Sequence, residues 1–398
     1  MRAGGRILLI TDDFPPDHGG IATYLWELYR HTPEGMVMVV APDGPGARRF
    51  DAGCGLRVFR YRRFSAAPLR YAAAFCSSLR VVLRERPAAL HCGTLISSGL
   101  IALALAPLFR VPYVLHVYGT DLCAKGRSRL AQWLAVTSLR RAGSVVGISD
   151  FSLSCAARLG VKQPALVKIL PPVDARRFRP PEGGARASLP AVEAAAGPLL
   201  LTVARLVPRK GHDAVIRALP LVLRRLPGTT YLIVGEGPER NRLEALATEL
   251  GVAGSVRFCG AVEDVVPYYQ ACDLFVMASR TLREEGEVEG FGIAFCEASA
   301  CGKPVVGGRS GGVGEAVVDG VTGLLVPPDD PEALASAITG LLDDRERSAR
   351  MGGRGREWVL NSLDPARAAE RIAALAAGAA AVAGEEGDAP RSPVSKAH

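Results

Sequence analysis

Short, continuously apolar runs alternate with longer stretches of helical period along most of the chain. The runs at 6–11, 36–41, 56–61, 88–92, 113–118 and 144–149 carry apolar side chains at most positions. A strand of a parallel sheet reads this way, because helices cover both of its faces. Between several of these runs, 21–30, 69–86, 95–109, 130–141 and 151–159 repeat apolar residues at helical spacing. The alternation predicts a doubly wound α/β domain over 1–175.

At 176–198 proline, glycine and small residues replace the period, which predicts an interdomain linker. The pattern then restarts, with strands at 199–204, 230–234, 255–259, 274–278, 304–307 and 323–326. Helices are predicted at 213–225, 239–250, 265–271, 293–300 and 331–342, and a further one at 345–359. This gives a second doubly wound domain over 199–364, then a helix at 365–382 free to pack back on either domain. The tail 383–398, with Pro390, Pro393 and mixed charge, is expected to be disordered. Ligands of such sheets bind beyond the carboxyl ends of the strands, so a cleft between two of them is the expected site.

Composition narrows the classes. A length of 398 residues suits two average domains, and 48% hydrophobic residues allow two full cores. The most apolar stretch, 95–109, is too short to cross a bilayer and contains Pro107. The opening MRAGG runs straight into 7–10 without the long apolar region of a secretory signal, so a cytoplasmic protein is expected. Nine cysteines lie singly, without the close pairs of zinc or iron–sulfur ligation. The net charge of +8 favours anionic partners, and Arg48, Arg49, Arg57, Arg60, Arg62 and Arg63 crowd one segment, either a solvated face or an anion-facing one. No zinc-finger or aromatic RNA-binding signature accompanies them, so nucleic acid is not expected.

Candidate chemistry gathers where strands end. After the first strand comes FPPDHGG, 14–20, whose Gly19 and Gly20 open a helix with bare backbone N–H groups, suited to a turn or to phosphate. The GxGxxG spacing of a dinucleotide fingerprint is absent. The first strand of the second half exits into TVARLVPRKG, 202–211, where Arg205, Arg209 and Lys210 precede a helix start. Cations there oppose the helix dipole unless an anion lies between them, and a guanidinium fork with a mobile ammonium suits a diphosphate. His116, in VLHVYGTDL at the end of the fifth strand, and His18 are the histidines best placed for a site. No serine lies in GxSxG.

The segment EVEGFGIAFCEASACGKPVV, 287–306, sets two carboxylates around a glycine turn in apolar surroundings. Gly290, Phe291 and Gly292 turn the chain into a helix that begins near Ile293 and carries Glu297. Burying an ionised carboxylate is costly without a partner. Glu297 can accept from the two hydroxyls of a cis-diol, or it can pair with Lys210 or Lys303 with no ligand at all.

Together, Glu289-GFGIAFC-Glu297, ARLVPRKG and FPPDHGG resemble the large retaining nucleotide-sugar glycosyltransferase family (family 4, group 1) that includes bacterial α-mannosyltransferases. The resemblance covers about 6–380 and implies the GT-B architecture, two Rossmann-like domains facing a cleft. It implies that Gly19 and Gly20 touch the donor diphosphate or sugar, and that Arg205 and Lys210 bind the phosphates. Glu289 would hold hexose hydroxyls, Glu297 the ribose, and the peptide around Val262 the base, with Gly290, Phe291, Gly292 and Ile293 lining the donor. His116 resembles the family histidine that assists the transition state. The implied reaction needs no metal and no permanently bound cofactor, and Asp12-Asp13 does not supply the Asp-x-Asp of metal-using transferases.

The branch it looks most like adds mannose from GDP-mannose to phosphatidylinositol mannoside or a related glycolipid or glycan acceptor, with peripheral contact to an anionic membrane. UDP-glucose or UDP-N-acetylglucosamine donors in exopolysaccharide or O-antigen synthesis are the enzymatic alternative, and an epimerase of the same fold is a further one. A nucleotide- or polyanion-binding protein is the non-enzymatic alternative, but it leaves the paired acids unexplained.

Overall fold

The computed structural model describes residues 5–17, 19–123, 126, 128–184, 189 and 197–376. His18, most of the linker's second half and the tail lie outside the described residues.

The first domain is a seven-stranded parallel sheet in the order β3-β2-β1-β4-β5-β6-β7. Its strands are β1 (Ile7–Ile10), β2 (Val37–Pro42), β3 (Arg57–Tyr61), β4 (Ala89–Cys92), β5 (Tyr113–Val117), β6 (Ser144–Gly147) and β7 (Leu166–Lys168). The sequence pattern missed β7, which is three residues long and lies at the sheet edge, too short to show a period. The second domain holds six parallel strands in the order β10-β9-β8-β11-β12-β13. They are β8 (Leu199–Val203), β9 (Thr230–Val234), β10 (Val256–Gly260), β11 (Leu274–Met277), β12 (Val305–Gly308) and β13 (Gly323–Val326). Central strands such as β1, β2, β9 and β11 are buried at every position, as continuous apolar runs require.

Strand order reverses at one place in each sheet. β1 lies between β2 and β4, and β8 lies between β9 and β11. Connections leave such neighbouring strands in opposite directions, which opens a crevice at their carboxyl ends. The exit of β1 carries Phe14 to Gly20, the exit of β8 carries Arg205 to Lys210, and the exit of β11 carries Glu289. All three segments singled out in the sequence therefore stand at the two switch points.

The chain crosses between the domains twice. Val173 N–H donates to Leu363 O at 3.0 Å, tying the outgoing and returning segments together. The helix Pro365–Ala376 then packs against the helix Gly20–Tyr29 of the first domain, burying Ala368, Ala369 and Ile372. Arg30 joins this seam through Asp174 at 2.8 Å and its own-helix neighbour Glu27 at 2.9 Å.

Candidate active site

Lys210 and Glu289 meet at the carboxyl ends of β8 and β11. Lys210 closes the single 3₁₀ turn Pro208–Lys210 after β8, and its Nζ donates to Glu289 Oε2 at 2.5 Å. Arg209 Nη1 reaches the same oxygen at 3.4 Å, and so does Ser279 Oγ, from the end of β11, at 3.4 Å. Glu289 is 7% exposed. Burial pushes its carboxyl up, but Lys210 and Arg209 outweigh that and hold it below the usual value. Lys210 is lowered, first by burial and then by the neighbouring charges of Arg209 and Arg205, with Glu289 opposing. Arg205 is exposed, and its charge acts on Lys210 and, across the cleft, on Asp13 after β1. Burial and the charges of Asp12 and Asp17 raise the Asp13 carboxyl.

Glycine is required at the turn after Glu289. A Cβ on Gly290 would stand 2.1 Å from Tyr118 O of the first domain. Gly292, with φ 96°, sits at the N-cap of the helix Ile293–Ala300, a left-handed position that suits glycine. Phe291 is buried in the core, so only its backbone can face a ligand, while Ile293 is half-buried.

The second acid follows within that helix. Glu297 accepts from Tyr269 Oη at 2.7 Å. Burial raises its carboxyl, and the Tyr269 hydroxyl and Arg177 partly offset the rise. The ligand-free pairing considered for Glu297 is not what the structure brings together: Lys210 goes to Glu289, and Lys303 donates to Gln270 O at 2.8 Å. Val262, half-buried, follows β10 at the same end of the sheet. Opposite, Gly19 and Gly20 begin the helix Gly20–Tyr29, and a Cβ on either would meet nothing within 4 Å. Packing does not demand glycine there, and the bare helix start faces open space.

His116 requires correction. It lies within β5, is fully buried, and both ring nitrogens are engaged, Nε2 with Tyr29 Oη at 2.8 Å and Nδ1 with Tyr24 Oη at 3.3 Å. Burial pushes it down to about 3. It is a neutral core histidine in a network with Tyr29 and His91, and the strand end facing Gly290 belongs to Tyr118 instead. The arginine cluster is also partly self-neutralised: Arg60 pairs with Asp51 at 2.6 Å, Arg57 with Glu85 at 2.8 Å, and Arg63 with Asp17.

Sequence reasoning did not find Tyr269 as the partner of Glu297, nor the contacts of Thr120, Ser149 and Glu315 across the cleft. Each joins residues far apart in the chain, and no local spacing signals them. No group of three or more metal-ligating side chains gathers among the described residues.

Known proteins resemble this chain along most of its length. Residues 191–358 match the family model for glycosyl transferases group 1, and 19–172 match that for a glycosyl transferase 4-like domain. The chain is similar to the GDP-mannose-dependent alpha-(1-6)-phosphatidylinositol monomannoside mannosyltransferase of Mycolicibacterium smegmatis, 36% identical over 94% of this chain and 98% of the relative. The GDP-mannose-dependent monoacylated alpha-(1-6)-phosphatidylinositol monomannoside mannosyltransferase of Corynebacterium glutamicum is 32% identical over 90% of this chain and 94% of its own. Among solved structures, Anabaena HepE in complex with UDP-glucose superposes with a TM-score of 0.81 at 22% identity, covering 94% of this chain and all of that one (100%). Sucrose-phosphate synthase from Thermosynechococcus elongatus gives a TM-score of 0.78 at 22% identity, over 94% of this chain and 98% of that one. Both structural likenesses establish the two-domain GT-B fold.

Two outcomes are expected. Lys210→Met strands Glu289 with only the more distant Arg209, and should cost roughly 3–5 kcal/mol in urea unfolding, much of it recovered in Lys210→Met/Glu289→Leu. The second concerns His212, which is buried with neither ring nitrogen bonded among the described residues and is lowered by burial, from an ordinary 6.5 to about 3. A base depressed in the folded state contributes stability that is complete above about pH 6.5 and is lost as pH falls toward 3. His116 titrates in the same sense. Urea midpoints should therefore drop between pH 7.5 and pH 5, by up to about 1.4 kcal/mol per pH unit per histidine. His212→Leu should flatten that slope without loss of stability at pH 7.5.

Proposed function

Because the chain belongs to the glycosyl transferases group 1 family, we propose that it transfers a mannosyl group from GDP-mannose to a lipid-linked or glycan acceptor such as a phosphatidylinositol mannoside. The observation that carries the reading is the buried Glu289–Lys210 pair, with Arg209 and Arg205 beside it, at the exits of two adjacent strands. An ammonium has three donors, and Glu289 takes one of them, which leaves Lys210 free to reach a phosphate oxygen. Arg205, exposed at the cleft, supplies the second phosphate contact. Breaking the glycosyl–phosphate bond puts negative charge on the departing diphosphate, where fixed cations are worth most. Glu289 holds the hexose hydroxyls beside the carbon that gains positive character. Glu297, kept in place by Tyr269, receives the ribose hydroxyls, and the peptide at Val262 receives the base. Gly19 and Gly20 present unencumbered backbone to the phosphate or sugar from the opposite domain.

The same reading includes a peripheral contact with an anionic membrane. Arg48, Arg49 and Arg62 are exposed and make no ion pair among the described residues. Large apolar side chains are exposed on the same domain, Trp133 at 62% and Leu130 at 65%. No described helix is long and apolar enough to cross a membrane.

Thermal-shift titration separates the donors. GDP-mannose should stabilise the protein by about 2.7 kcal/mol at a hundred times its Kd, and UDP and ADP sugars by less. A preference for a UDP sugar would replace the mannosyl reading with a glucosyl or N-acetylglucosaminyl one. Glu289→Gln should cut turnover by about a hundredfold or more while nucleotide affinity changes far less. Near-normal turnover would remove Glu289 from the reaction. Sedimentation with liposomes containing anionic lipid should bring the protein down in a salt-sensitive way, each arginine near the surface contributing about 1 kcal/mol. Indifference to lipid charge removes the membrane contact.

A further inference from the structure

The peptide that carries Glu289 is not held by its own domain alone. The carbonyl before it, Val288 O, accepts from Thr120 Oγ1 at 2.7 Å, and the carbonyl after it, Gly290 O, accepts from Ser149 Oγ at 2.8 Å. Both hydroxyls belong to the first domain. Thr120 opens the short helix Thr120–Cys123 after β5, and Ser149 is the N-cap of the helix Asp150–Arg158 after β6. Ser149 Oγ serves twice, accepting from Ser152 N at 3.1 Å while donating its proton across the cleft.

A third contact lies within the second domain. The carbonyl of Glu289 accepts from Gly312 N at 2.9 Å. From the same loop, Glu315 sends its carboxylate back to the first domain, Oε2 accepting from Asp150 N at 2.9 Å and Oε1 from Phe151 N at 3.3 Å. The first N–H groups of a helix have no partner within it, so a carboxylate from the opposite domain satisfies them. Lys168, at 2.7 Å from Asp150 and 3.7 Å from Glu315, balances the charge.

The Thr120, Ser149 and Glu315 bonds exist only while the two domains face each other closely. The segment between β11 and the helix Ile293–Ala300 has no regular structure beyond an isolated bridge from Leu282 to Glu287. Its fixed points near Glu289 are the Lys210, Arg209 and Ser279 contacts on the side chain, Gly312 N–H on its own carbonyl, and the two first-domain hydroxyls on the flanking carbonyls. We infer that Thr120 and Ser149, supported by Glu315, are positioning residues that complete the placement of Glu289 when the cleft is closed. Domain closure and placement of the donor-side carboxylate are then one event. This inference rests on the reading of Glu289 as the hexose contact, but the dependence of the Glu289 peptide on closure can be measured without it.

The test uses Thr120→Val, which keeps the shape and removes the donor, with Ser149→Ala, which removes the donor to Gly290 O without adding charge. The double variant should lose about tenfold to a hundredfold in kcat, as small misplacements of a reacting group do. Its Kd for GDP should change far less than kcat, because the contacts proposed at Arg205, Lys210, Val262 and Glu297 lie in the second domain and are left untouched. Thr120→Ser, which keeps the hydroxyl, should hold wild-type kcat, whereas Thr120→Val alone should lose part of it. Small-angle scattering with saturating GDP should give a larger radius of gyration for the double variant than for wild type. Unchanged kcat in the double variant, the same loss in Thr120→Ser, or equal radii would overturn the inference. A wild-type chain inactive with every donor sugar, but with the radius difference intact, would sink the functional reading and leave the closure brace standing.

Discussion

An ionised carboxylate buried beside apolar strands persists only while a cation stays against it, and here Glu289 depends on Lys210. Removing that charge from water costs several kcal/mol, and only close, well-placed opposite charges offset the cost. Much of the second domain's layout follows from this demand. The two residues lie far apart in the chain yet meet at 2.5 Å, because β8 and β11 are neighbours at the point where strand order reverses. Lys210 is delivered by a single 3₁₀ turn and Glu289 by a glycine turn that abuts Tyr118 O. A strand order without that reversal would separate the charges and leave a carboxylate that has to be neutral.

How much of this was written in the chain depends on the range of the signal. Buried parallel strands are continuous apolar runs, so twelve of the strands were legible, while β7, at the edge and only three residues long, gave no period to read. The switch-point loops were legible for a chemical reason: cations at a helix start and acids in apolar sequence both violate local preference. Which acid joins which cation was not legible. Spacing allowed Glu297 to take Lys210, whereas the structure gives Lys210 to Glu289 and leaves Glu297 to Tyr269.

His116 shows the opposite failure, a residue type that points to chemistry in a place that forbids it. A histidine at a parallel strand's end is either facing the cleft or bonded in the core, and the sequence carries both readings equally. The deciding fact is two tyrosines on the helix Gly20–Tyr29, whose hydroxyls take both ring nitrogens. Two residues on, the Tyr118 carbonyl abuts Gly290 of the second domain, while the ring stays buried with its hydroxyl on Gly93 O at 2.8 Å.

The ion pair also has a direction, and direction matters more than strength for the proposed reaction. Glycosyl–phosphate cleavage separates charge, positive character gathering on the sugar ring and negative charge on the departing diphosphate. Glu289 and Lys210 form a close ion pair reinforced by Arg209 and Arg205, and in the proposed reaction its negative end would serve the hexose and its positive end the phosphates. Such a pair opposes neither end of the transition state and needs no reorganisation as the bond breaks, which is the condition for electrostatic catalysis. A lone lysine would serve the diphosphate as well but leave the sugar's positive charge unmet, and a lone buried glutamate would be protonated. Each residue therefore keeps the other in the charge state that the proposed chemistry uses.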